Sequence, residues 1–73
     1  MSTRVYKIVM TPEDTNDRVA YMIDRTDEPP VTEETAGDAF DIVLSRNEGY
    51  ELDSFEEIAE SDIPADARPY TVG

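Results

Sequence analysis

The sequence has 73 residues, of which 18 are Asp or Glu and 6 are Lys or Arg, so its formal net charge is -12. It contains no Cys and no His, which excludes disulfides, thiolate nucleophiles, Cys-based metal sites and histidine bases. The length fits one small domain, residues 1–73, and no apolar run approaches the about 20 residues that span a bilayer. We therefore expect a cytoplasmic, non-enzymatic domain without a cofactor.

The net charge lies in the second part of the chain. Residues 1–25 contain four basic and four acidic side chains, whereas residues 26–73 contain fourteen acidic side chains and only Arg46 and Arg68 as basic ones. A polyanion of this kind repels free nucleic acid and anionic membranes, so we expect its partner to be a basic protein. The sequence leaves open whether the protein is a monomer or a dimer.

Two segments with alternating apolar residues predict an antiparallel β-hairpin. Thr3–Met10 and Arg18–Arg25 are both rich in β-branched and aromatic residues and alternate with a period of two. In the first strand the alternation places Tyr6, Ile8 and Met10 on one face. A polar turn is predicted at residues 11–14.

After Pro29 and Pro30 the apolar period changes to that of a helix. We predict one main α-helix from Thr32, as its N-cap, to Gly49, as its C-cap. Ile42 lies outside the apolar arc and is expected to be exposed. The predicted inward-facing residues are Ala36, Ala39, Phe40, Val43 and Leu44.

The rest of the chain predicts shorter elements. Tyr50–Leu52 suits a short strand, and Ser54 with Glu57 fits a capping box for a second helix, Phe55–Glu60. Tyr70–Val72 suits an edge strand beside the hairpin. The predicted fold class is therefore α+β, with an antiparallel hairpin sheet of three to four strands packed on one main helix and a second short helix.

Acidic side chains recur at helical spacing on the two predicted helices. Glu34, Asp38 and Asp41 are four and three residues apart, so one helix would present them on one face at steps of roughly 4.5 to 6 Å. A second row would come from the next element and comprises Glu56, Glu57, Glu60 and Asp62. Carboxylates in such rows can occupy the positions of phosphates in an Arg- and Lys-lined groove.

These rows predict a partner-binding surface rather than a catalytic or metal site. The leading hypothesis is an inhibitor of the anti-CRISPR or anti-restriction type, as phages encode, which mimics nucleic acid and blocks the basic groove of a DNA-binding protein. The EF-hand loop pattern is absent, and the three glycines are isolated, so no phosphate-binding loop is present. We predict no catalytic residues and no metal.

Three other interpretations fit the same charges. The acidic rows are also typical of a simple solvated helix face. One Lys against five Arg, with so many acids, is typical of small domains adapted to high salt in halophiles. An adaptor that docks through an apolar patch around Ile42 or through the hairpin edge is the third.

Overall fold

The computed structural model describes residues 3–12 and 17–73. In this part of the chain a four-stranded sheet carries two short α-helices on one face. A 3₁₀ helix lies between the last two strands in the chain. The elements in chain order are β1 (Arg4–Pro12), β2 (Arg18–Asp24), α1 (Ala36–Ala39), α2 (Asp41–Ser45), β3 (Tyr50–Ile58), the 3₁₀ helix (Glu60–Asp62) and β4 (Tyr70–Val72). The predicted α+β class is confirmed.

The predicted hairpin is present. β1 and β2 pair antiparallel, with Arg4 opposite Asp24 and Met10 opposite Arg18. The side chains of Tyr6, Ile8 and Met10 are buried together, as the alternation predicted. β1 continues through residues 11 and 12, where a turn was expected, and residues 13 and 14 of that predicted turn lie outside the described residues.

The sheet is mixed, with the strand order β3-β1-β2-β4. β3 pairs antiparallel with β1, whereas β4 pairs parallel with β2. An antiparallel-only sheet was therefore the wrong prediction, although Tyr70–Val72 does form the edge strand beside the hairpin. Residues 59–69 carry the chain from β3, at one edge of the sheet, to β4 at the other edge. This crossover allows β4 to run parallel to β2, because parallel strands require a long connection of this kind.

Two short helices replace the single helix predicted over residues 32–49. The Thr32 N–H donates to Thr35 Oγ1 at 2.9 Å, and the Thr35 N–H donates to Thr32 Oγ1 at 3.4 Å. Such local side-chain bonds compete with helix formation, and Gly37 adds a low propensity. The helix therefore begins at Ala36, and it is interrupted at Phe40, where φ is -99° and ψ is 16°.

The predicted inward face survives this interruption. Ala36, Phe40 and Val43 are buried in the core, and Ala39 and Leu44 pack against it. Ile42 is 36% exposed, as expected from its place outside the apolar arc.

β3 replaces both the short strand and the second helix predicted for residues 50–60. Its register with β1 shifts by one residue, because Val9 lies opposite Ser54 whereas Met10 lies opposite Leu52. This bulge at Asp53 puts Leu52 and Phe55 on the same face although they are three residues apart. Pairing with β1 therefore outweighs the capping-box signal at Ser54.

Aromatic packing joins the helices to the sheet. The ring of Phe40 makes edge-to-face contacts with Tyr6 and Phe55, at centroid distances of 5.5 and 5.1 Å. The Tyr6 hydroxyl accepts a hydrogen bond from the Val31 N–H at 3.1 Å, which fixes the segment that leads into α1. No helix in the described residues is long and apolar enough to cross a membrane.

Candidate protein-binding surface

Almost every acidic side chain that the structure describes lies at the surface. Of the 18 acidic residues, Glu13 and Asp14 lie outside the described residues, and among the others only Asp24 is buried. The remaining fifteen are exposed. Most of the net charge is therefore available to solvent or to a partner.

The acids of the first predicted row lie on three different local structures. Glu34 lies in the turn that precedes α1, Asp38 lies on α1 and Asp41 lies on α2, and all three are exposed. Because the helix is interrupted at Phe40, the even rise expected along one helix does not apply to them. Together with Glu33 and Glu48 they form what we call the helical-layer acids, which share residues 33–48 with a single basic residue, Arg46.

Two acids of the second predicted row are engaged by basic side chains. Glu57 Oε1 lies 3.2 Å from Arg4 Nη1, and Glu56 Oε1 lies 4.0 Å from Lys7 Nζ. Both acids are on the edge strand β3 and not on a helix, so that part of the prediction was wrong. They are less available to a partner than the helical-layer acids, although surface pairs of this kind contribute only about 0–1 kcal/mol each.

The last two predicted acids, Glu60 and Asp62, lie on the 3₁₀ helix after β3. The Asp62 carboxylate accepts a hydrogen bond from the Ala59 N–H at 3.3 Å, so it caps the N-terminal end of the 3₁₀ helix. The two predicted rows thus differ in their contacts, because described side-chain contacts engage three of the four acids in the second row and none in the first, although all seven are exposed.

Sequence reasoning missed a groove of about 440 Å³ between α1, β2 and β4. Asp24, Glu28 and Asp38 contribute acidic groups to its lining, so Asp38 has acidic neighbours that come from other segments. The apolar part of the lining comprises Met22, Pro29, Pro30, Val31, Ala39 and Val72.

Asp24 differs from the other acids because it is only 7% exposed. Its Oδ1 accepts hydrogen bonds from the N–H and the hydroxyl of Thr26, at 2.8 and 2.5 Å. This is the turn that an Asp forms with a Thr two residues later, and the pattern Asp24-Arg25-Thr26 at the end of a strand was a usable sequence signal.

A second groove, of about 300 Å³, lies on the opposite side of the helical layer. It is lined by Glu33 and Ala36 together with residues 52–55 of β3, so it brings Glu33 close to Asp53 at the bulge. Acidic groups therefore flank both edges of the helical layer.

The other face of the sheet is mostly apolar along β1 and β2. The strand register places Val5, Lys7 and Val9 there beside Val19, Tyr21 and Ile23. Its charged groups on β1 and β3 are Lys7, Glu51 and Glu56, of which Lys7 and Glu56 pair with each other. The helical layer therefore carries more exposed acids outside the described ion pairs than the strands of this face do.

The described residues contain no group of three acidic side chains arranged to hold a metal ion. Comparison with protein-family models, with curated proteins and with solved structures gave no match. Interpretation of the surface therefore depends on its own geometry and charge.

Proposed function

We propose that this protein is a non-enzymatic inhibitor that presents carboxylates to the nucleic-acid groove of a basic protein. The helical-layer acids, namely Glu33, Glu34, Asp38, Asp41 and Glu48, are the proposed contact surface. The observation that carries the proposal is the concentration of exposed carboxylates in the helical layer, where residues 33–48 contain five acids outside the described ion pairs and one basic residue.

The distribution of basic side chains supports this choice of surface. In the described residues the two ion pairs use Arg4 and Lys7, and both pairs go to β3. Arg18 lies over the Tyr50 ring, with 6.0 Å from its guanidinium carbon to the ring centroid. None of these contacts involves an acid of the helical layer, so those carboxylates remain available to a partner.

Carboxylates can replace phosphates chemically in such a groove. Both groups accept paired hydrogen bonds from the arginine fork, and both attract lysine. The helical-layer acids lie on the two short helices and on the turns beside them, and the buried Ala36, Phe40 and Val43 anchor this layer to the sheet. A surface that is already ordered loses less conformational entropy on binding than a flexible acidic tail.

Displacement of DNA from basic proteins tests this proposal. A fluorescein-labelled duplex of roughly 20 base pairs is bound to a restriction endonuclease without Mg²⁺, or to a Cas9–guide complex, and anisotropy follows its release. Poly-glutamate of the same net charge controls for general polyanion competition. We expect the protein to release DNA at concentrations at least about 100-fold lower than poly-glutamate, with a weaker effect as NaCl increases. Release no better than that by poly-glutamate from every protein tested would contradict the proposal.

A further inference from the structure

The groove beside β4 contains a carboxylate whose bonding capacity is only half used. Asp24 is more than nine-tenths buried, and Thr26 provides both of the hydrogen bonds to its Oδ1. Among the described residues nothing donates to Asp24 Oδ2, and no basic group lies within 4 Å of this carboxylate. Asp24 Oδ2 is not fully enclosed, because Arg4 Nε is the one enclosed side-chain nitrogen or oxygen without a hydrogen-bond partner in the described residues. This oxygen is therefore accessible from the groove, where a cationic donor can bond to it.

The nearest candidate within the chain is directed elsewhere. Arg4 lies directly opposite Asp24 in the hairpin register, yet its guanidinium bonds to Glu57 on the other side of β1. Arg4 therefore leaves Asp24 without a cationic partner and open toward the groove.

The composition of the groove indicates which cation it would accept. Its walls include the apolar side chains of Met22, Val31 and Val72, and Glu28 and Asp38 add two further carboxylates to the lining. An arginine side chain combines an apolar stem with a planar fork of five donors, which can bond to more than one carboxylate at once. A compact metal ion would gain nothing from the apolar walls.

We propose that this groove binds the arginine side chain of a basic partner protein, with Asp24 Oδ2 as the central acceptor and with Glu28 and Asp38 beside it. The inference deepens the proposed function, on which it rests for the identity of the partner, by assigning one anchor residue to the interface. The groove volume of about 440 Å³ falls in the range of small-ligand sites, roughly 300–1,000 Å³.

Titration with N-acetyl-L-arginine amide tests the groove without any partner protein. Amide signals of the full ¹⁵N-labelled chain are followed at constant ionic strength. We expect saturable shifts at Met22, Thr26, Val31, Ala39 and Val72, with a Kd of about 1–20 mM, and no binding of the uncharged norleucine analogue. The D24N variant should bind at least about 10-fold more weakly.

Matched variants separate the groove from general electrostatic attraction. D27N removes the same charge from the neighbouring exposed position, which does not line the groove, and should change the Kd by less than about twofold. If D24N fails to fold, D38N serves instead and should weaken binding by about threefold. Shifts without saturation at about 50 mM, or equal weakening by D24N and D27N, would overturn the groove assignment.

The two proposals can fail separately. DNA displacement by the wild-type protein without arginine binding would overturn the groove alone. Saturable, Asp24-dependent arginine binding without displacement of DNA would support the groove and count against the inhibitor function.

Discussion

Substitution of Phe40 by leucine tests how the helical layer is held in place. Phe40 is fully buried and its ring contacts Tyr6 and Phe55 edge-to-face, whereas Phe55 is half-buried and makes one such contact. Each aromatic pair contributes about 0.5–1.5 kcal/mol beyond its buried area. F40L should therefore lower the free energy of unfolding by about 1–3 kcal/mol and F55L by about 0.5–1.5 kcal/mol.

Substitution of Phe40 by alanine shows how large a share of the free energy of unfolding this side chain contributes. Phe→Ala at a buried site costs about 3–5 kcal/mol, and a chain of 73 residues has a total stability of about 4–11 kcal/mol at 0.05–0.15 kcal/mol per residue. F40A should thus remove between about a quarter and all of the total stability, so the leucine variant, which stays folded, is the useful one. Urea unfolding followed by far-UV circular dichroism measures both leucine variants. A loss for F40L equal to or smaller than that for F55L would refute this description of the core.

Three further predictions concern single residues and the charge. N47A should lower the free energy of unfolding by about 1–3 kcal/mol in urea titrations, because the buried Asn47 Nδ2 donates to the Val43 carbonyl at 2.7 Å. G49A should cost about 1 kcal/mol by the same assay, because Gly49 has a φ of 85°; an unchanged midpoint would contradict this. Thermal unfolding should show a folded protein in about 0.05 M NaCl, with a rise in Tm of less than about 10 °C up to 3 M, because the remaining repulsion between exposed acids is screened. Folding only at molar salt would instead favour adaptation to a saline solvent.

The hairpin was predictable because its two strands are defined by local alternation. Tyr6, Ile8 and Met10 lie every second residue and are all buried. The helical face was predictable for the same reason, since the spacing of Ala36, Phe40 and Val43 survives the interruption between the two helices.

The errors arose where distant parts of the chain determine local structure. The bulge opposite Val9 and Met10 exists only because β3 pairs with β1, so residues 52–58 gave no local sign of their true period. The parallel pairing of β4 likewise depends on the route of the crossover and not on residues 70–72 themselves.

The candidate surface was predictable in its chemistry but not in its details. The exposure of Glu34, Asp38 and Asp41 follows from residue type. In contrast, the pairing of Arg4 with Glu57 joins positions 53 residues apart, and the Asp24 groove is formed by β2, β4, α1 and the segment before it. Neither arrangement can be inferred from spacing along the chain.

The location of the binding surface is tested most directly by two triple variants in the DNA displacement assay. E34Q/D38N/D41N removes three helical-layer carboxylates, and D17N/D27N/D66N removes three exposed carboxylates elsewhere. Both variants therefore reduce the net negative charge by the same amount. We predict that the helical-layer variant displaces DNA at least about 10-fold more weakly than the wild type, while the control changes by less than about threefold. Equal losses for the two variants would contradict a defined acidic surface and indicate that only total charge matters.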